Sequence, residues 1–156
     1  MCNCCNSILA QTYRNIELIL VNDGSEDNSL AICKEIQASD KRVVVIDKEN
    51  GGCYSAWNKG LDVATGDLIG FVDNDDYIQP QMYETLLDIL IEQDADICAL
   101  LCIKEFDTSS IRSGMRYLKS KSAFSSIPGF NNTIIVCIFL PSKFLFVIII
   151  LPYRYE

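Results

Sequence analysis

The sequence of 156 residues contains no histidine. Histidine is the commonest metal ligand and the side chain that titrates closest to neutral pH. Its absence excludes Ser-His and Cys-His nucleophilic catalysis, and it restricts any metal site to other ligands. Eight cysteines are present, but no pair of Cys-x-x-Cys motifs. We therefore expect no zinc site, and we expect reduced thiols in a cytoplasmic protein.

Positive charge is also scarce. The chain has 13 Lys and Arg against 21 Asp and Glu, a formal net charge of −8. This balance argues against a nucleic-acid-binding surface, so no nucleic acid is expected among the partners. Residues 1–10 have neither the charged start nor the long apolar core of a signal peptide.

No uninterrupted apolar run is long enough for a transmembrane helix. The runs 133–140 and 144–151 are separated by Pro141-Ser-Lys143, and a lysine at mid-membrane depth is costly. Two buried strands, or a stretch without native structure, are the favoured interpretations of these runs.

Between residues 16 and 103, apolar strands alternate with amphipathic helices. The predicted strands are 16–21, 43–46, 68–72 and 96–103, and the predicted helices are 29–38, 54–64 and 81–93. This alternation predicts an α/β fold with a mainly parallel sheet flanked by helices on both faces. Residues 107–129 show little periodicity.

The clearest chemical signal is the run Leu68-Ile-Gly-Phe-Val-Asp-Asn-Asp-Asp76, in which a buried strand leads directly into three carboxylates. Carboxylates at alternate positions after a strand can share one hard divalent cation, together with substrate phosphates. The ends of parallel strands are also where open α/β sheets bind ligands. An acidic turn without a metal is the alternative interpretation.

Three segments in order carry a resemblance to a known family. They are Gln11-Thr-Tyr with Ile16-Glu-Leu-Ile-Leu-Val-Asn-Asp-Gly-Ser25, then Glu49-Asn-Gly-Gly with Asn58-Lys-Gly60, then Ala64 through Asp76. Together they resemble the nucleotide-sugar half of a family 2 glycosyltransferase with the GT-A fold, a Rossmann-like α/β fold, over about residues 5–105.

The resemblance implies a set of site residues. Asp23, in the Asp-Gly-Ser turn, is expected to accept a hydrogen bond from a uracil ring. Asn58, Asp73 and Asn74 are expected to contact the nucleotide sugar, and Asp75 with Asp73 to bind Mg²⁺ or Mn²⁺. The metal offsets the charge that builds on the leaving diphosphate.

The chain also departs from the family pattern. Trp57 stands where the family often carries an arginine; it could stack on a ring, but packing in the core is the favoured interpretation. Lys59 could supply the missing charge, although helical geometry turns it about 100° away from position 57.

Two larger departures concern the start and the end of the domain. The chain begins after the central first strand of the family, and no acid beyond Asp96 has the context of the family's general base. We therefore expect an incomplete, N-terminally truncated domain at 5–105 and a divergent tail at 106–156 that is non-native or completes the sheet. Residues 144–151 could fill the vacant central position, from the same chain or from a second copy in a homodimer.

The function implied by the resemblance is transfer of a sugar from a UDP-sugar to a glycan or lipid-linked acceptor. This reaction would belong to polysaccharide biosynthesis. We expect the protein in the cytoplasm, with peripheral association at the inner face of the membrane. The main alternative is a non-catalytic remnant that at most binds nucleotide. A receiver-like or flavodoxin-like module is a further alternative, but it gives the Asn-Gly-Gly segment no role.

Overall fold

The computed structural model describes residues 2–74, 76–94, 97–100, 115–118, 134–138 and 145–151. The helices in these ranges are α1 (Cys2–Leu9), α2 (Ser29–Ser39), α3 (Cys53–Val63) and α4 (Met82–Gln93). The strands are β1 (Glu17–Asp23), β2 (Val43–Lys48), β3 (Leu68–Asp73), β4 (Ile97–Leu100), β5 (Met115–Leu118), β6 (Ile134–Ile138) and β7 (Leu145–Leu151).

The alternation of strands and helices from β1 to β4 confirms the predicted α/β fold class. Each predicted strand and helix between residues 16 and 103 corresponds to one observed element. β5 has no predicted counterpart, because four residues are too few to show a strand period within the polar stretch 107–129.

Within the described residues, the strands form one sheet in the order β2-β1-β7-β3-β6-β4-β5. Five of these strands run in one direction: β2, β1, β3, β6 and β4. β1 pairs in parallel with β2, and β6 pairs in parallel with both β3 and β4. The two groups share this direction because β7 is antiparallel to both β1 and β3. β7 and β5 run the opposite way. The sheet is therefore mainly parallel, as predicted.

The central position between β1 and β3 is occupied by β7 of the same chain. Its register pairs Val147 with Leu20 of β1 on one side and with Val72 of β3 on the other. Placed there, β7 supplies backbone partners to the facing edges of both strands, which would otherwise be unpaired.

Helices cover both faces of the sheet. One buried cluster joins α1, α2 and α4 to the sheet through residues such as Ile8, Leu20 and Leu86. A smaller cluster on the other face joins α3 to β1 and β3 through Ala56 and Ile69. Near-continuous apolar strands are expected when both faces of a sheet are covered.

A buried glutamine fixes the segment that leads from β3 to α4. The Gln11 amide donates to the carbonyls of Ser7 (3.1 Å) and Gln79 (2.7 Å), and its oxygen accepts from the Tyr83 backbone N–H (3.1 Å). Ser7 Oγ also accepts from the backbone N–H of Ile78 at 3.0 Å. With its polar atoms satisfied, Gln11 ties α1 to this segment and so positions the chain after the acidic run.

None of the helices in the described ranges has both the length and the apolar character needed to cross a bilayer. The cysteines for which the structure describes a side chain, at positions 2, 4, 5, 33 and 53, form no disulfide bond with one another.

Candidate active site

The ends of three parallel strands form the edge at which the candidate site lies. β1 ends at Asp23, β2 at Lys48 and β3 at Asp73. Asp23 and Lys48 are register partners in the parallel pair. Open α/β sheets bind ligands at the carboxyl ends of their strands, so this edge is where the fold predicts a ligand.

Asp23 is the most constrained charged group of this edge. Its side chain is 1% exposed, and its Oδ1 atom forms a salt bridge with Lys48 Nζ. The same oxygen accepts a hydrogen bond from the Gly51 backbone N–H at 3.0 Å. Among the described residues, the buried Oδ2 atom has no hydrogen-bond partner. Oδ1 of Asp23 is therefore held in place, while Oδ2 can still accept a hydrogen bond.

The environment of Asp23 favours its charged form. Burial alone disfavours ionisation, but hydrogen bonds from Lys48 and from the backbone of Gly51 and Gly52, with the charge of Lys48, together lower the pKa of Asp23 below its usual value. The group therefore remains an ionised acceptor at neutral pH.

Two glycines let the loops approach Asp23 closely. Gly24 has φ +69°, and a Cβ there would lie 2.7 Å from the backbone nitrogen of Asn50. A Cβ on Gly51 would lie 2.7 Å from Ser55 Oγ. A side chain at Gly24 would push the loop of residues 49–52 away from the end of β1, and one at Gly51 would displace the side chains of Ser55 and Lys48.

The first turn of α3 is open at the same edge. Gly52 precedes the helix with φ +80° and ψ 170°, a conformation that is nearly exclusive to glycine. No atom of the described residues lies within 4 Å of the position that a Cβ on Gly52 would occupy. The N–H groups at the start of a helix favour negative groups, so this turn is suited to one.

Asn22, the neighbour of Asp23, faces the opposite side of the sheet. It is 2% exposed and donates from Nδ2 to Asp47 Oδ1 at 2.8 Å. Its Oδ1 atom is buried without a partner in the part of the chain that the structure describes. Since Asn22 and Asp23 alternate along β1, only Asp23 lies on the α3 side.

The predicted metal ligands lie largely outside the described residues. Asp73 is the last residue of β3, but its side chain is not described, and neither is Asp75. Asn74 follows β3 directly and is half-buried. In the ranges whose side chains are described, no three Cys, Asp or Glu residues cluster as metal ligands would. The metal therefore stays a prediction.

The predicted residues of α3 are not all near Asp23. Asn58 is exposed and lies six residues beyond Gly52, about 9 Å along the helix axis. Trp57 is half-buried and packs on Phe71 of β3 with ring centroids 5.6 Å apart. This packing agrees with the interpretation of Trp57 as a core residue. Lys59 is exposed.

Lys48 is the residue of this site that the sequence interpretation missed. It places a positive charge beside Asp23, in a salt bridge with the Asp23 carboxylate. The signal that could have identified it is positional: Asp23 and Lys48 each end a predicted strand, and ends of adjacent parallel strands meet at one edge.

Comparison with known proteins assigns a family. The sequence profile described as Glycosyl transferase family 2 matches residues 1–141. Glycosyltransferase GlyG of Streptococcus pneumoniae is 50% identical over 95 residues, which is 60% of this chain and 32% of that protein. The uncharacterized glycosyltransferase RT0329 of Rickettsia typhi is 35% identical over 147 residues, 90% of this chain and 45% of that protein.

A third relative, glycosyltransferase GlyA of Streptococcus pneumoniae, is 47% identical over 60% of this chain and 14% of its own length. The chain therefore spans between 14% and 45% of the length of these three relatives. The family match includes the ends of β1, β2 and β3 described above, and it ends before β7. With most of its length matched by the family profile, the chain belongs to glycosyltransferase family 2.

Proposed function

We propose that residues 5–105 form the nucleotide-sugar-binding part of a metal-dependent glycosyltransferase. The donor is a UDP-sugar, and the acceptor is a glycan or a lipid-linked glycan. The proposed setting is polysaccharide biosynthesis in the cytoplasm at the inner face of the membrane, by analogy with the family.

The observation that carries this proposal is the state of Asp23. A buried acceptor without a donor is costly, and a ligand that offers an N–H group would remove that cost. The uracil ring has one such N–H, flanked by two carbonyl groups. Lys48 and Gly51 hold the carboxylate in place before the ligand arrives, so the Asp23 side chain loses little conformational freedom on binding. Because Oδ2 is buried, ligand access requires a local opening at this edge.

The acidic run after β3 suits a divalent cation. Asp73 and Asp75 would hold Mg²⁺ or Mn²⁺ through carboxylate oxygens, the ligand type that both ions prefer. Asn74, between them, is placed to contact the donor. When bound, the cation offsets negative charge on the diphosphate that leaves.

In the proposed reaction an acceptor hydroxyl attacks C1 of the sugar, and the bond from C1 to the diphosphate oxygen breaks. The hydroxyl proton passes to a general base, to which we assign no residue. Asp23 and Lys48 lie at the nucleoside end of the donor, and their part is binding and orientation.

Calorimetric titration with UDP in the presence of Mn²⁺ tests the role of Asp23. Asp23→Ala is expected to weaken UDP binding by about 10- to 100-fold, as expected for a lost hydrogen bond to a charged group. Asp62→Ala is the matched control, since Asp62 is an exposed acid on α3. Circular dichroism of both variants verifies that they fold. Equal affinities for UDP in folded Asp23→Ala and in the unsubstituted chain would contradict the proposal.

A non-catalytic nucleotide-binding role is the second candidate. It is favoured by one observation: no general base is identified among the acids of the described residues. A turnover assay with several nucleotide sugars separates the two functions. Binding of UDP without sugar transfer or donor hydrolysis would support the second function.

A further inference from the structure

An exposed aromatic ring lies beside the candidate site. Tyr54, in the first turn of α3, is 74% exposed. Its ring meets that of Trp57 at 89° with centroids 5.7 Å apart, and Trp57 packs in turn on Phe71 of β3. A perpendicular contact occupies at most one face of the Tyr54 ring, so the other face is available to a ligand.

The position of Tyr54 relates it to Asp23. α3 starts at Cys53, two residues after Gly51, whose backbone N–H donates to the Asp23 carboxylate at 3.0 Å. Helical side chains tilt toward the helix N-terminus, which for α3 is the ligand edge of the sheet. Tyr54 therefore lies in the turn of α3 that is nearest to the edge where Asp23 lies.

The contact with Trp57 places Tyr54 on one particular side of α3. Trp57 reaches Phe71, which is two residues before the end of β3 at Asp73. Tyr54 and Trp57 are three residues apart and share a helix face. Tyr54 thus lies on the helix face that also carries Trp57, the residue of α3 whose ring reaches β3.

A single exposed tyrosine is common on protein surfaces and by itself indicates nothing. This one combines an exposed ring, a contact with Trp57 and a position three residues after Gly51, which donates to the buried Asp23 carboxylate. A nucleobase needs both of these features, since its flat face stacks on aromatic rings and its edge offers hydrogen-bonding groups.

We propose that Tyr54 is the stacking surface for the nucleobase of the donor, next to the Asp23 carboxylate that accepts from the base edge. The proposal rests on the proposed function and assigns a binding residue to it. Trp57 is a positioning residue, because it orients Tyr54 without touching the ligand.

UDP titrations of three Tyr54 variants in the presence of Mn²⁺ test the stacking role. Tyr54→Ala is expected to weaken UDP binding by about 5- to 150-fold, the range found when base-stacking aromatics are removed. Tyr54→Phe retains the ring and should bind within about 2-fold of the unsubstituted chain. Tyr54→Leu retains apolar area without a flat face and should resemble Tyr54→Ala. Ile91→Ala, at an exposed apolar position on α4, is the control.

A ligand without a base separates stacking from a structural effect. Inorganic pyrophosphate with Mn²⁺ should bind Tyr54→Ala and the unsubstituted chain equally. Trp57 is the only tryptophan in the sequence, so the tryptophan fluorescence of the protein comes from the ring that contacts Tyr54. We expect a spectral change with UDP and none with pyrophosphate.

The outcomes distinguish this proposal from the one on which it rests. Metal-dependent UDP binding that is equal in Tyr54→Ala and the unsubstituted chain would overturn the stacking role and leave the proposed function intact. Equal losses for UDP and pyrophosphate, or a loss in Tyr54→Phe as large as in Tyr54→Ala, would also overturn the stacking role. Absence of UDP binding by the folded, unsubstituted chain would overturn both.

Discussion

The two faces of the sheet differ in what their residues do. On the face covered by α1, α2 and α4, seventeen of the described residues form one buried apolar cluster. On the α3 face the corresponding cluster has four described residues, and the same face carries Asp23, Lys48 and the exposed ring of Tyr54. Among the side chains that the structure describes, the first face therefore supplies most of the apolar burial, while the second carries polar and aromatic groups at the ligand edge.

Charge distinguishes the two faces more than hydrogen bonding does. On the first face Gln11 is satisfied by three hydrogen bonds, whereas Asn22 Oδ1 and the Tyr83 hydroxyl are buried without a partner among the described residues. On the α3 face, Lys48 and Gly51 hold the Asp23 carboxylate, whose Oδ2 atom also has no partner among the described residues. An unpartnered buried atom is therefore found on both faces, and what sets the α3 face apart is an ionised carboxylate at the ends of parallel strands.

The largest effect that the comparison predicts is on stability, from the larger cluster. Leu86 is fully buried between α4 and the sheet, so Leu86→Ala should lower the free energy of unfolding by about 2–5 kcal/mol. Ile91→Ala, on the exposed side of the same helix, should change it by less than about 0.5 kcal/mol. Urea unfolding measures both. Equal losses of unfolding free energy for the two substitutions would contradict the place of Leu86 in the larger buried cluster.

A smaller effect is expected from the ion pair that joins α1 to the start of β2. Arg42 binds the Asp40 carboxylate with contacts of 2.7 Å and 3.0 Å and donates to the Leu9 carbonyl at 3.1 Å. These hydrogen bonds hold the pKa of Asp40 at about 2. The pKa is depressed in the folded state, so the pair stabilises the fold above about pH 4, and that contribution is lost as the pH falls toward 2.

The expected size of the Asp40 contribution is about 1 to 2 kcal/mol, since the pair is partly exposed. Urea unfolding of the unsubstituted chain and of Asp40→Asn at pH 7 and pH 3 measures it. The Asp40→Asn chain should start less stable and lose less stability on acidification. If the free energy of unfolding fell equally in both chains between pH 7 and pH 3, Asp40 would make no pH-dependent contribution to stability in that range.

Much of the fold of the first 94 residues could be predicted from the sequence, because its periodicity is local. The apolar run 16–21 and the stripe of 81–93 lie close to the observed β1 and α4. The family motifs likewise directed attention to the end of β1, where Asp23 lies.

The order and direction of the later strands could not be predicted in the same way. The composition of residues 144–151 indicates a buried strand, but only the pairing with β1 and β3 shows that β7 lies between them and runs antiparallel. Register depends on contacts between distant segments and not on local propensity.

The site was predictable where a motif contains the residue and unpredictable where neighbouring strands create the contact. Asp23 belongs to a motif, whereas Lys48 follows from the pairing of β1 with β2. Tyr54 appeared in the sequence as one residue of a helix, and its exposure and its contact with Trp57 emerge only from the packing of α3 on the sheet. The boundary at residue 105 and the binding roles of Asp23, Asn58, Asp73, Asn74 and Asp75 stay predictions.

The measurement that tests the central claim most directly is calorimetric titration of the full chain with UDP, with and without Mn²⁺, and with Asp75→Ala as the comparison. The claim is that the ends of β1 and β3 together form a donor site. It predicts UDP binding that requires Mn²⁺ and is lost in Asp75→Ala, because the diphosphate then has no shared cation. No UDP binding by well-folded protein, or binding that is indifferent to both Mn²⁺ and Asp75, would contradict it.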